Sequence, residues 1–537
     1  MLVVGGGTMG AGIALVGARA GFQVELVEPQ TGARERGREY LQREASRLEA
    51  TAALDLIEWI ERVPLRSDAA LAVEAVPERF ELKREVFMAL AESLSKDALL
   101  ASNTSSLSID ELADVTPHPE RVLGLHFFNP APRMELVEIV RGDQTSDEAA
   151  QRAVAIVARF GKTAVFAADT PGFIVNRVAR PYYLQALRAL ERGVASAAEL
   201  DGLARGAGFR MGPFELMDLI GLDVNLATSE SVYQRTGAKR LAPVELQREM
   251  VAQGLLGKKS GAGFYQYSNG RAQRFEPKAD AEGGDAGGEL IAILGFGGVA
   301  DELGEALGSA NAEIARIEND EFIDQLSPDA TVVIDVGDGS SDRREMLEEI
   351  DAALGPDSVI FADAYATDLA ACAAHLRHPE RLVGYGILGS LDGQQAVEIV
   401  DGEDVSDDAL ELAQEIFALA GKATVLVEDR PGLFLGRTVG SVVNEAMFAI
   451  AEHVATPEDI DTAMRLGANY PSGPVTWGRE IGGARVARIL SRLAEAEGEE
   501  FAPHRSLWVL DVEEEGETEP VVTPSSTGTG AIMWGGA

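Results

Sequence analysis

The second half of this chain repeats the first. HPERVLGLHFFNP at 118–130 returns as HPERLVGYGILGS at 378–390, DTPGFIVNR at 169–177 as DRPGLFLGR at 429–437, and VEIVRGDQTSDEA at 137–149 as VEIVDGEDVSDDA at 397–409. GFRMGPFELMD at 208–218 is echoed by NYPSGPVTWGR at 469–479, and all four pairs share an offset near 260 residues. A weaker fifth pair, VVGGGTMGAGIALVGARAG at 3–21 and ILGFGGVADELGEALGSAN at 293–311, is offset by 290, so the second copy is shorter after its glycine loop. Five matches in one order are beyond coincidence and make the fold a tandem of one unit. At 537 residues the chain is in any case too long for one core.

Within each copy, short β-rich runs alternate with helical patterns, which predicts an α/β unit with a parallel sheet. The periodicity then turns helical, at 180–192 and again at 444–453, after an Asp-x-Pro-Gly turn. The expected division is a Rossmann-type domain over 1–169, a helical domain over 170–267, a linker over 268–288, a degenerate Rossmann-like domain over 289–429, and a second helical domain over 430–497. Residues 498–537 are acidic and then Ser/Thr/Gly-rich, and read as a disordered tail in which Trp508 and Trp534 have no evident purpose.

Composition narrows the partners. A formal net charge of −40 excludes a basic nucleic-acid surface. With only eight lysines among 47 basic residues, it fits either adaptation to high internal salt or a plainly acidic protein. One cysteine, Cys372, leaves no intramolecular disulfide and no cysteine metal cluster, as expected of a cytoplasmic protein. No stretch approaches the roughly 20 apolar residues of a membrane span.

The first copy opens with the run Leu2–Val4, then Gly5-Gly6-Gly7-Thr8-Met9-Gly10, a helical stretch over 11–20, and a second β-run ending at Glu28. Gly5 permits the tight turn, Gly7 lets backbone approach a pyrophosphate, Gly10 packs helix on strand, and the helix N-terminus attracts phosphate. Glu28 stands where an acid accepts from the adenosine ribose and repels a 2′-phosphate, which favours NAD over NADP. From the glycine motif alone FAD is a competitor. The first strand has almost no lead-in, which leaves room for a start upstream of Met1.

Two further segments fall at expected strand ends, where open α/β sheets bind ligands: Ser102-Asn103-Thr104-Ser105-Ser106, and Leu125-His126-Phe127-Phe128-Asn129-Pro130. Glu138 lies in an apolar run and is expected half-buried. A carboxylate beside His126 would orient the ring and stabilise its protonated form, as oxidation of a hydroxyl requires. The residues alone leave other readings open. A single histidine is more often structural, Glu138 could be a solvated strand residue, and Asn103 and Ser105 could be turn formers.

SNTSSL, LHFFNP, MELVEIV, DTPGFIVNR, MGPFELMD, GLD and GKKSGAGFYQY follow one another through 102–267. With the glycine motif they resemble the 3-hydroxyacyl-CoA dehydrogenase family over essentially all of 1–270. The tandem layout is similar to its bacterial two-copy members acting on 3-hydroxybutyryl-CoA or 3-hydroxyadipyl-CoA. The resemblance implies a Rossmann domain whose NAD cleft is closed by a helical domain that dimerises, and oxidation of an L-3-hydroxyacyl-CoA in fatty-acid or phenylacetate-type metabolism. It implies His126 as base and Glu138 as its partner, with Ser105 and Asn176 on the substrate oxygen and Asn129 beside the histidine. By the same resemblance Thr8, Met9, Glu78, Lys83 and Asn103 join Gly5, Gly7, Gly10 and Glu28 at the cofactor, and Glu28 replaces the more usual Asp.

The second copy departs from this pattern. His126 corresponds to Gly386, Asn129 to Gly389, Ser105 to Tyr365 and Asn176 to Gly436, while Glu138 keeps its type as Glu398. No base is left there, so the second copy is expected to be a packing partner, forming an internal pseudo-dimer with the first. The alternatives are a dehydrogenase of a free 3-hydroxyacid, whose scaffold relatives generally use a lysine base, and a non-catalytic NAD-binding scaffold.

Overall fold

The computed structural model describes residues 1–268, 285–318, 322–337 and 343–511. The first sheet has eight strands: β1 Leu2–Val4, β2 Val24–Val27, β3 Ile57–Ile60, β4 Leu71–Glu74, β5 Leu99–Ser102, β6 Val122–Phe127, β7 Leu136–Arg141 and β8 Thr163–Ala168. Their order is β3-β2-β1-β4-β5-β6-β7-β8, all parallel except the β6–β7 pair. The strands β4 to β6 are buried on both faces by flanking helices, which is why they read as continuous apolar runs. The order reverses between β1 and β4, and a ligand crevice forms at the strand C-termini of such a switch point.

The second sheet repeats this plan with seven strands: β9 Leu290–Leu294, β10 Glu313–Ile317, β11 Val332–Asp335, β12 Val359–Asp363, β13 Leu382–Gly386, β14 Ala396–Asp401 and β15 Ala423–Glu428, in the order β10-β9-β11-β12-β13-β14-β15. Among the described residues no strand corresponds to β3, and only the short helix Phe322–Gln325 stands where Thr31–Arg47 does in the first copy. This is the shortening seen in the changed repeat offset. Helical layers follow each sheet, and among the described residues no helix is long and apolar enough to cross a membrane.

Two expectations are corrected here. The tail was expected to begin at 498, yet Glu499–Phe501 and Arg505–Asp511 form short 3-10 helices against the helix Gly483–Glu497. Phe501, Leu507 and Leu510 are buried, and Asp511 accepts from the amides of Gly483 and Ala484. Three apolar anchors spaced among acids suffice to hold a segment whose bulk composition is polar. Trp508 is exposed, while Trp534 lies in 512–537, outside the described residues. Of the expected linker, 269–284 are likewise outside them, but Ala286 is buried and its amide donates to the Ala310 carbonyl, 2.8 Å, so 285–288 already pack with the second copy.

The copies meet through their helical layers, the helix Arg180–Glu191 packing on Leu435–Ala451. Contacts occur in mirrored pairs, as an isologous interface demands. The Ala168 amide donates to Val454 O, and the Glu428 amide to Val194 O. Gly206 abuts Ala396 and Gly467 abuts Leu136, with no room for a Cβ on either glycine. Arg177 Nε donates to Glu445 Oε1, 2.8 Å, and its counterpart Arg437 Nε donates to Gln185 Oε1, 3.2 Å. Arg177 and Glu445 are each 1% exposed. Removing one partner of such a pair costs about 3–5 kcal/mol, so the interface is strongly specified there.

Candidate active site

The antiparallel β6–β7 pair sets His126 directly opposite Glu138. His126 Nδ1 lies 2.5 Å from Glu138 Oε2. Glu138 is fully buried rather than half-buried, because its other oxygen is also satisfied: Oε1 accepts from the amides of Ile174, 3.1 Å, and Val175, 2.9 Å. A buried carboxylate is tolerable only when paired and hydrogen-bonded in this way. The imidazole is flanked by the rings of Phe128 and Phe173, at centroid distances of 4.6 and 5.7 Å. With Nδ1 committed to Glu138, the tautomer is fixed and Nε2 is left for a substrate proton.

Asn103 stands at the end of β5. Its Oδ1 accepts from the Phe127 amide, 2.8 Å, which ties the β5 loop to the strand that carries the histidine. Asn129 precedes Pro130 through a cis peptide bond. Asn176 is half-buried on the short helix Val175–Val178, directly after the residue whose amide holds Glu138. Ser105 and Ser106 line a cavity of about 380 Å³ that also touches Glu78, Gly172, Val224 and Val232, so the cleft lies between the nucleotide-binding layer and the helix Leu222–Thr236.

Glu78 organises that cleft. Its Oε1 accepts from Thr104 Oγ1, 2.5 Å, from the Ser105 and Ser106 amides, 3.0 and 3.1 Å, and from Ser106 Oγ, 2.9 Å. Burial pushes its carboxyl upward, but the Lys83 ammonium 3.2 Å away and the bonds from Thr104, Ser106 and Ser105 together hold it below the usual carboxylate range. Lys83 sits beneath the cleft, 1% exposed, with its ammonium on Glu74 Oε1 at 2.8 Å and Oε2 at 3.0 Å. Glu74 is fully buried and also accepts from Ser102 Oγ, 2.7 Å, and the Val76 amide, 2.6 Å. Sequence reasoning missed Glu74 and gave Ser102 no role beyond its place at a strand end. The available signal was an acid ending an otherwise apolar strand, with a lysine nine residues on.

The glycine loop has the shape a dinucleotide requires. Gly5 adopts φ +107°, and a Cβ there would strike Ala75 O. A Cβ on Gly10 would sit 1.8 Å from Gly5 O, so only glycine lets the helix Thr8–Arg19 pack this closely. Gly7 faces open space, Thr8 is exposed and Met9 half-buried, leaving the helix N-terminus free for phosphate. Glu28 ends just past β2, where it accepts from the amides of Gly6 and Gln30, both 3.0 Å, and keeps lone pairs for a ribose. The residues present therefore fit a bound NAD.

Comparison with known proteins agrees with this geometry. The model of the 3-hydroxyacyl-CoA dehydrogenase NAD binding domain matches residues 1–170 and 302–430, and that of the 3-hydroxyacyl-CoA dehydrogenase C-terminal domain matches 172–267 and 432–519. The 3-hydroxyadipyl-CoA dehydrogenase of Escherichia coli K12 is 36% identical over 509 residues, covering 93% of this chain and 94% of that one. The crystal structure titled 3-hydroxybutyryl-CoA dehydrogenase from E. coli K12 superposes with a TM-score of 0.74 at 35% identity, covering 94% of this chain and 97% of the other. The 3-hydroxybutyryl-CoA dehydrogenase of Mycobacterium tuberculosis is 41% identical over 277 residues, 49% of this chain and 97% of its own. This chain belongs to the 3-hydroxyacyl-CoA dehydrogenase family of enzymes, as a tandem of two copies, each with an NAD binding domain and a C-terminal domain.

Proposed function

We propose that the first copy alone oxidises an L-3-hydroxyacyl-CoA to the 3-oxoacyl-CoA, reversibly, with NAD. The observation that carries this reading is the His126–Glu138 pair, buried and mutually oriented, with His126 packed on Phe173, the neighbour of Gly172 in the cleft lining. NAD, when bound along Gly5, Gly7, Thr8, Met9 and Gly10 with its ribose at Glu28, supplies the hydride acceptor. His126 Nε2 takes the proton of the 3-hydroxyl, and Glu138 stabilises the resulting imidazolium. Ser105 and Asn176 hold the substrate oxygen, Asn129 flanks the ring, and Asn103 and Glu78 shape the cofactor side. Lys83 contributes through Glu74 and Glu78. Its committed ammonium argues against a lysine base and hence against the free-hydroxyacid alternative.

The substrate is an acyl-CoA of cytoplasmic fatty-acid or phenylacetate-type metabolism. The long E. coli matches carry different substrate names, so a panel of 3-hydroxyacyl-CoAs from four carbons upward, with and without a terminal carboxylate, reads out the acyl preference. His126→Ala should lower kcat by roughly 10²–10⁴ with NAD binding intact. A variant retaining near-wild-type turnover overturns the assignment.

A further inference from the structure

The turn that leads into the first helical domain is held from two sides. Gly172 and Phe173 have φ of +82° and +49°, a costly conformation for phenylalanine that persists only where surroundings over-determine it. On one side, Glu138 takes the amides of the next two residues, Ile174 and Val175. On the other, Arg177 reaches out of the first copy. Its Nε donates to Glu445 Oε1, 2.8 Å, and its Nη1 lies 2.7 Å from Glu452 Oε2. Glu445 also accepts from Arg240 Nε at 2.6 Å, which fixes its carboxylate. Gly467 supports the same place. A Cβ on it would fall 2.9 Å from Val175 Cγ2 and 3.5 Å from Phe128 Cζ, the ring beside His126.

We propose that Glu445, a residue of the second copy, is a positioning residue for the first copy's reaction, acting through Arg177 on the strained turn that orients Glu138 and presents Asn176. This inference rests on the His126–Glu138 reading above. Its logic is that one four-residue span, 174–177, carries both the amides that hold the carboxylate and the arginine that Glu445 grips. If the grip is lost, the span can relax, Glu138 loses aligned donors, and the dyad drifts from the hydroxyl it must deprotonate. Displacements of this order, originating away from the chemistry, lower turnover without touching cofactor binding. The mirrored contact provides an internal control. Arg437 and Gln185 make the corresponding bond on the same interface, beside the turn that serves Glu398, where Gly386 replaces the histidine.

The test uses the full chain, with steady-state kinetics and thermal unfolding side by side. Glu445→Gln should lose roughly ten- to a hundred-fold in kcat with KM for NAD within about two-fold of wild type, and Glu445→Asp, which keeps the charge, should recover part of the loss. Gln185→Met should lower Tm as Glu445→Gln does, but keep kcat within about two-fold, because its turn serves no reaction. Wild-type kcat in Glu445→Gln overturns the inference, and so does an equal kcat loss in Gln185→Met, which would make the effect one of general interface loosening. Should Glu445→Gln fail to fold, Glu445→Asp and Gly467→Ala carry the same comparison, the latter by pushing on Val175 and Phe128. Their wild-type kcat would equally overturn it. His126→Ala, run in parallel, separates the two readings. If it stays active the dyad assignment fails. If it is inactive while the Glu445 variants are normal, only the role of Glu445 fails.

Discussion

In the first copy Glu138 holds an imidazole, and in the second Glu398, at the same register opposite Gly386, holds a phenol. Tyr365 Oη donates to Glu398 Oε2 at 2.8 Å, while the amides of Phe434 and Leu435 take the places of Ile174 and Val175. The substitution is correlated. A Cβ on Gly386 would meet Tyr365 Cε1 at 2.6 Å and one on Gly436 would meet Tyr365 Cδ1 at 2.7 Å, so losing the histidine and the asparagine makes the room that the tyrosine fills. Arg485 then bridges Asp363 and Ile387 O, and Arg492 reaches Asp368 at 2.9 Å, where the first copy has an open cleft. In the second copy Tyr365 fills the corresponding space, and the two arginines tie its layers together. The first copy instead keeps an open cleft lined by Ser105, Ser106, Gly172 and Val232.

The nucleotide sites differ in the same direction. The helix Thr8–Arg19 has no acid in its first turn, whereas Gly298–Ser309 carries Asp301 there. Glu302 follows, with Ser390 and the amides of Leu391 and Asp392 on its carboxylate. Asp301 is paired with Arg316 at 3.0 Å, so this helix end presents an ion pair where the first copy leaves its N-terminus open to a pyrophosphate. Among the described residues the second copy also has no counterpart of β3. Calorimetric titration of the full chain with NAD should therefore find one site. Two sites of similar affinity would erase the contrast and mean that the second copy also binds a nucleotide.

Tyr365 offers the next largest effect. It is fully buried, so Tyr365→Ala should destabilise by about 3–5 kcal/mol, the usual cost of emptying an aromatic site. Activity per folded molecule should stay near wild type. Denaturant midpoints measured with the slope unchanged give the first quantity, and kcat the second. A neutral midpoint would mean that the tyrosine is not filling the old site.

How much of this contrast could be read from sequence is uneven. The glycine loop, the tandem plan and the replaced positions all lie in contiguous motifs, so the string displays them. That Glu138 would face His126 needed the β6–β7 pairing, and its full burial needed the amides at 174 and 175, which no local pattern signals. Tyr365, Gly386 and Gly436 are far apart in the chain, and their coupling is a fact of packing. Lys83 was legible as a polar residue near a cofactor, but its burial against Glu74 was not, because two charges of opposite sign nine residues apart look like any helix-start pair. The packed segment at 499–511 was hidden by its acids, since composition averages away three well-placed apolar anchors.

A smaller effect should come from Glu398 itself. Burial pushes its carboxyl up to about 7 from 4.5, against the bonds from Phe434, Tyr365 and Leu435. A carboxyl that holds its proton more tightly when folded contributes stability at low pH and loses it as pH rises through that window. The loss is at most roughly 3 kcal/mol, at 1.36 kcal/mol per unit. Asp201, which burial also raises to about 7, titrates over the same range, so the informative quantity is a difference. Stability should fall from pH 5 to 7.5 in the wild type and fall less in Glu398→Gln. Parallel curves would show that Glu398 is already ionised in the fold.

The smallest effects concern the two arginines that close the second cleft, and salt separates them. The chain's net charge of −40 repels itself, and screening should raise Tm as KCl increases from low to molar concentration. A flat response would favour a plainly acidic protein over a salt-adapted one. Against that background, the Arg492–Asp368 pair has side chains 29% and 45% exposed and should be worth about 0–1 kcal/mol, vanishing in high salt. The Arg485–Asp363 pair is 14% and 5% exposed, and the same Nη2 also donates to the Ile387 carbonyl, so little salt reaches it. Arg492→Gln should thus lower Tm slightly at low salt and not at all in molar KCl, while the larger deficit of Arg485→Gln persists across the series. If both deficits fade together, solvent reaches the Arg485–Asp363 pair as well, and Tyr365 alone fills the second site.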